Sequence, residues 1–281
     1  MKTAIIKLTS AFLSAALLTG CSSDLIVKVE NAKYRNYFSD SRTVSIDLSD
    51  DISSADISLG TGGITVVHTD EAEASVYLDY TVRSNDKELC KEVADHIDAL
   101  SEEKNGSLII NIAEKKTGDD IQKWAHDKGY KCQVELNAEV RLPKTIDTVT
   151  AETNVGSLDF RDIKGCFSGE VDTGSITCVN TEFTDSSSMK CGTGNITMRD
   201  CTYMADTSIS AETGQLLFGL PTNGSAADID LSVDTGNMEI WDAKSYEITD
   251  GSAKDGKVTL EYKDTKVSAS VKTGNISIDK E

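Results

Sequence analysis

Down the second half of the chain, apolar and polar residues alternate with a period of two, and one short phrase interrupts the alternation at regular intervals. It reads Val155-Gly156-Ser157-Leu158, Thr173-Gly174-Ser175-Ile176, Thr193-Gly194-Asn195-Ile196, Thr213-Gly214-Gln215-Leu216, Thr235-Gly236-Asn237-Met238 and Thr273-Gly274-Asn275-Ile276. A degenerate copy stands at Asp255-Gly256-Lys257-Val258 and an early one at Thr61-Gly62-Gly63-Ile64. From Gly156 to Gly274, successive glycines are 18 to 22 residues apart. Two and four residues after each glycine stand apolar side chains such as Ile196 and Met198, or Ile276 and Ile278, which marks a strand with one buried face. The same alternation precedes the glycine, as in Ile229, Leu231 and Val233, and carrying it forward puts the Thr of the phrase inward. The next inward residue then comes one position late. A slip that keeps the core face calls for a corner, and glycine supplies the positive φ that corners often need.

One copy alone cannot bury its apolar face, whereas stacked copies can. The pattern therefore predicts an all-β fold, a parallel β-helix or β-solenoid of about 20 residues per coil, with corners at Gly62, Gly156, Gly174, Gly194, Gly214, Gly236, Gly256 and Gly274. Seven coils rising by roughly 4.8 Å each make a rod of about 30 Å. Its core is expected to be narrow and aliphatic, and the repeated Thr and Asn or Ser positions to form ladders between neighbouring turns.

Residues 74–144 break the repeat. Strands are expected over 74–82, 107–112 and 132–142. Between the first two, Asn85 with Glu88 reads as a capping pair, Leu89, Val93, Ile97 and Leu100 as one helix face, and Asn105-Gly106 as the stop. A second short helix is expected from about Asp119 to Lys128. This stretch reads as a helix-containing insertion, or a cap on the N-terminal end of a solenoid domain spanning 44–281.

The first 20 residues belong to a different grammar. Lys2 and Lys7 precede the apolar run Ala11 to Leu18, which is shorter than the roughly 20 residues a membrane span needs. They read as a signal peptide. Leu18-Thr19-Gly20-Cys21 resembles the lipobox of bacterial lipoproteins, which makes Cys21 the expected lipidation site and 21–43 the lipidated Cys and its tether. That address is extracytoplasmic, with the chain anchored to the bacterial cell membrane through lipid.

Composition narrows the partners. The chain carries 47 acidic and 28 basic residues, and loss of residues 1–20 leaves 26 basic residues and a charge of −21. Nucleic acid is excluded as a partner, because phosphate binding requires clustered Lys and Arg. His68, His96 and His126 have no metal-ligand spacing, and no phosphate loop, nucleophile elbow or zinc motif occurs. Acids two residues before the glycine are Asp172, Glu212 and Asp234, against Lys254 and Lys272 in other copies, which does not form a calcium ladder. Neither a catalytic residue nor a cofactor is expected. Besides Cys21 there are Cys90, Cys132, Cys166, Cys178, Cys191 and Cys201, whose disulfide pairing stays open, with Cys178 and Cys191 read as reduced core thiols.

The Thr-Gly-[Asn/Ser/Gln]-[Ile/Leu/Met] phrase, Val140-Arg141-Leu142-Pro143 and Gly60-Thr61-Gly62-Gly63-Ile64 together resemble the bacterial putative-adhesin domain family of unknown function, over residues 44–281. The resemblance implies a parallel β-helix-like fold and carries over no catalytic residue. The first functional expectation is a non-enzymatic, lipid-anchored surface protein for adhesion or contact with a cell-envelope glycan or protein. The alternatives are a polysaccharide-active enzyme on a β-helix scaffold and an envelope sensor or scaffold that binds a membrane partner.

Overall fold

The computed structural model describes residues 34–219, 227–240, 247–252 and 255–279, so the signal peptide and Cys21 lie outside the described residues. The elements are β1 (Asn36–Ile46), β2 (Ser54–Thr69), β3 (Ala74–Ser84), α1 (Lys87–Ala94), β4 (Ile97–Lys104), β5 (Ser107–Glu114), α2 (Ile121–Asp127), β6 (Cys132–Pro143), β7 (Thr148–Arg161), β8 (Lys164–Val179), β9 (Glu182–Phe183), β10 (Ser187–Arg199), β11 (Thr202–Tyr203), β12 (Thr207–Gly219), β13 (Ala227–Ile240), β14 (Glu247–Ser252) and β15 (Asp255–Asp279). The fold is all-β, built on one large, open and mostly parallel sheet with the path β1-β3-β6-β2-β7-β8-β10-β12-β15-β13.

In that sheet the repeated phrase is an in-register column. Gly62 pairs with Gly156, Gly156 with Gly174, Gly174 with Gly194, Gly194 with Gly214, Gly214 with Gly274, and Gly274 with Gly236. All seven have φ between 143° and 149°, a region essentially reserved for glycine. Sterics make the same demand. A Cβ on Gly194 would lie 1.7 Å from the carbonyl oxygen of Gly174, and one on Gly214 1.6 Å from that of Gly194. The inward set does change phase across the glycine, but the change is wider than expected. Thr153, Val171 and Cys191 are buried three residues before it and Leu158, Ile176 and Ile196 two after. The Thr of the phrase, expected inward, is turned out: Thr193, Thr213, Thr235 and Thr273 are exposed.

The order of copies also departs from expectation. Residues 264–279 of β15 lie between β12 and β13, parallel to both. Gly256 does not join the glycine column: it pairs antiparallel with Val233 of β13 on one side and with Gly251 of β14 on the other. Its copy of the phrase is too degenerate to hold a corner, with Asp255 in place of Thr and Lys257 in place of Asn or Ser.

At the other end the strand pattern divides. The first limb of β2 pairs with β5 and the second with β6, so two strands of the 74–144 stretch take the place of one continuous bent strand. β3 and β1 add antiparallel strands beyond β6, and β4 adds one beyond β5. Residues 36–43, expected in the tether, belong to β1. The first helix is shorter than its apolar spacing implies. Its N-cap is Asp86, whose carboxylate accepts from Glu88 N and Leu89 N, and it ends at Ala94. Ile97 and Leu100 lie in β4, and Asn105-Gly106, both at positive φ, form the β4–β5 hairpin turn. α2 falls within its expected range, capped by Asp120.

The core is not purely aliphatic. β9 and β11 form a second, short parallel ladder with the start of β8, and they bring Phe183 and Tyr203 inside. Phe160, Phe167, Phe183, Tyr203 and Phe218 then form one aromatic column with centroids 5.3 to 6.0 Å apart. Offset and tilted rings at such spacing add to what area burial alone contributes.

Replacing Gly194 with Ala should lower stability by about 3 kcal/mol, since strain at a glycine-only φ adds to a backbone clash. Gly129→Ala isolates the conformational part, because Gly129 has φ 77° but no heavy atom within 4 Å of a built Cβ. It should cost only about 1 kcal/mol. Urea midpoints of the two variants measure the difference, and equal losses would contradict the stacking account.

Candidate interaction surface

The outward positions of the parallel strands form rows across the sheet. Ser168, Ser188, Ser208 and Ser268 follow one another in register, with Ser168 Oγ and Ser188 Oγ 3.1 Å apart. Two residues on, Glu152, Glu170, Lys190, Ser210 and Ser270 make a mixed row in which Lys190 Nζ lies 3.1 Å from Glu170 Oε1. Beside the glycine column runs the exposed Thr row. On its other flank stand Ser157, Ser175, Asn195, Gln215, Asn275 and Asn237.

This last row has structural work. Asn195 Oδ1 accepts from Gln215 N at 3.2 Å and Asn275 Oδ1 accepts from Asn237 N at 3.1 Å, so amide side chains tie one strand to the next. A further row escaped the sequence reading. Asp162, Asn180 and Asp200, each six residues after a corner glycine, take φ of 52°, 50° and 49°. Asn180 Nδ2 donates to Asp162 Oδ1 at 2.6 Å. The recurrence of Asp or Asn at that offset was the available signal, since these residues tolerate the left-handed region best after glycine.

Where the glycine column meets β6 the surface opens into a groove of about 680 Å³. Thr61, Gly63, Glu135, Asn137, Val155 and Ser157 line it. Val155 stands where other copies have Thr and is 50% exposed. Glu135 Oε2 is held by Arg83 Nη1 at 2.9 Å. The lining thus offers neutral hydroxyl and amide groups, one paired carboxylate and an aliphatic patch, a set suited to hydrogen bonding and apolar contact.

The three histidines do not converge. His68 is half-buried with Nε2 3.1 Å from Ile146 O, and burial lowers its pKa. His126 is exposed beside Asp127. His96, within the span expected for the first helix, instead follows α1 and donates from Nδ1 to the buried Glu114. Trp124 of α2 stacks on its ring at 4.5 Å, and Tyr130 meets Trp124 edge-on at 5.7 Å. Glu114 also accepts from Lys116 N, Thr117 N and Thr117 Oγ1 at 3.0, 2.7 and 2.9 Å. Burial pushes the Glu114 carboxyl up, but these four hydrogen bonds outweigh it and hold its pKa at about 2. The cluster fastens α2 to β5.

Among the described residues no group of three His, Cys, Asp or Glu is placed to hold a metal ion. The six described cysteines are all free thiols, and only Cys166 is not buried. Burial raises the thiol pKa of Cys178 well above its ordinary value and that of Cys191 to about 11.

Because Glu114 is ionised more readily folded than unfolded, its contribution to stability is complete above about 4.5 and is lost as the pH falls towards about 2. Thermal melts of wild type and Glu114→Gln across that window should converge as the acid limit is approached, with wild type the more stable at neutral pH. A constant gap would contradict the assignment.

No protein-family model matches the chain, and no curated protein does either. Among solved structures it is similar to one named a putative cell adhesion protein from Clostridium sporogenes, at 12% identity and a TM-score of 0.39, covering 88% of this chain and all of that one. A putative adhesin from Bacteroides fragilis aligns at 10% identity and a TM-score of 0.36, over 85% of this chain and 97% of the other. A putative lipid binding protein from Parabacteroides distasonis aligns at 12% identity and a TM-score of 0.26, over 86% and 97%.

Proposed function

We propose that this chain is a lipid-anchored, extracytoplasmic β-solenoid protein without enzymatic activity, which presents its outer rows for adhesion or cell-envelope contact. Cys21 is the anchor. Residues 74–144 close one end of the stack, and the bent parallel strands are its coils. The observation that carries the reading is the array of outward Ser, Thr and Asn side chains held in register by the parallel ladder. A regular set of neutral donors and acceptors on a rigid scaffold suits a repetitive neutral ligand, such as an envelope glycan, and its ordering costs little because the scaffold already fixes it. The charge of −19 on the full chain disfavours anionic lipid and nucleic acid as the surface recognised.

Two measurements test the two halves of the proposal. Detergent phase partitioning should place the wild-type chain in the detergent phase and Cys21→Ser in the aqueous phase, and identical partitioning would remove the anchor. A screen of the soluble 22–281 fragment against envelope glycans and whole cell walls should give binding that weakens when Thr193 and Thr213 are changed together to Glu. Absence of binding to every glycan and wall tested would overturn adhesion to these ligands.

A further inference from the structure

The out-of-order position of β15 is matched by complementary charge. Its first arm, 256–260, pairs antiparallel with one edge of β13, and residues 264–279 pair parallel with the other. β15 therefore grips β13 from both sides, and the link between its arms crosses near the start of β13 through residues 261–263. The second arm fills a slot between β12 and β13 that imposes three requirements. It needs a corner glycine, because a Cβ on Gly274 would lie 1.7 Å from Gly214 O. It needs inward apolar residues, supplied by Val267, Val271, Ile276 and Ile278, each at most 1% exposed. It also needs cations at two levels.

Lys272 sits in register between Glu212 and Asp234, with Nζ 2.8 Å from Glu212 Oε1. Glu212 raises the Lys272 ammonium above the ordinary lysine value, and Asp234 adds to this. Lys266 bridges β13 and the residue just before β12, with Nζ 2.7 Å from Asp230 Oδ2 and its backbone N–H donating to Asp206 Oδ1 at 3.1 Å. If β12 and β13 paired directly in this register, Glu212 would face Asp234, and like charges placed opposite in a sheet are destabilising. Among the repeat copies in the glycine column, only residues 264–279 have Lys both two and eight residues before the glycine.

We propose that the gap between β12 and β13 is a strand-acceptor site, filled within one molecule by residues 264–279 and able to take the same segment from a second copy of this chain. The partner is a second copy because glycine, apolar residues and both lysines must occur together at these offsets. Every contact of the inserted arm with β12 and β13 is the same whichever molecule donates it, and only the link at 261–263 differs. Two copies that exchange these arms form a closed, reciprocal dimer.

Complementary charge reversal tests this on full-length chains. Variant one carries Lys266→Glu and Lys272→Glu, so its arm is reversed and its slot is native. Variant two carries Glu212→Lys, Asp230→Lys and Asp234→Lys, so its slot is reversed and its arm is native. Each is mismatched with itself, and exchange between the two matches both slots. Co-expressed with different tags, the variants should be captured together about tenfold more than either with a copy of itself. Residues 264–279 of both chains should regain slow amide exchange in the mixture. Capture without regained protection reflects attraction between oppositely altered surfaces and overturns the proposal, as does equal capture. If the mixture stays unfolded, the proposal falls too, since both matched combinations are then present.

Discussion

Every row in this protein takes its position from one close contact, the carbonyl oxygen of a glycine resting over the Cα of the glycine in the next strand. At 1.5 to 1.7 Å from a virtual Cβ, that oxygen occupies the space a side chain would need at six successive levels from Gly156 to Gly236. No other residue type fits there, so the column permits one register. A slip by a single residue would drive a side chain into a carbonyl and turn every inward residue outward as well. Once this register is set, the aromatic column, the Thr and Asn rows and the ion pairs between strands are set with it. Local steric exclusion thereby orders side chains far apart in sequence.

The same contact explains what could be read in advance. Glycine spacing and period-two alternation are properties of each copy, so they predicted the strands, the parallel register and six later members of the column beside Gly62. Neighbour identity is not a property of a copy. Any copy with the phrase stacks sterically on any other, and the order β12, β15, β13 was hidden until the charges at the outer positions were compared across strands. Gly256 shows the converse. It kept the spacing but lost the flanking Thr and the hydroxyl or amide residue, and its strand runs antiparallel.

Other misreadings came from signals that two structures share. Leu89, Val93, Ile97 and Leu100 have helical spacing, yet α1 ends at Ala94. Ile97 and Ala99 are the inward residues of β4, and the Asn105-Gly106 turn was the better guide because positive φ at two successive residues suits a hairpin. Phe183 and Tyr203 lie in strands of two residues each, too short to display any period, so the aromatic column was invisible in the pattern although it runs through part of the core. The groove beside Gly62 depends on where β6 departs from β2, which no local sequence encodes. The outer rows were legible as recurring residues. Their division into side chains that tie strands together and side chains left outward was not.

The acidic surplus acquires a different meaning once the neighbours are known. In a stack of identical parallel strands, an acid at one outward position is repeated a strand spacing away, about 4.8 Å along the sheet. Repulsion at that distance is modest in water for one pair but accumulates along a row. Lys190 beside Glu170, Lys272 beside Glu212 and Lys266 beside Asp230 each place a cation against an acid of the adjacent strand. Exposed ion pairs of this kind contribute little net stability one by one. What they do supply is discrimination, because the alternative order would set acid against acid in otherwise identical steric surroundings. Glycine determines that the strands stack and in which register, and the sparse lysines favour the observed order, in which each faces an acid of the adjacent strand.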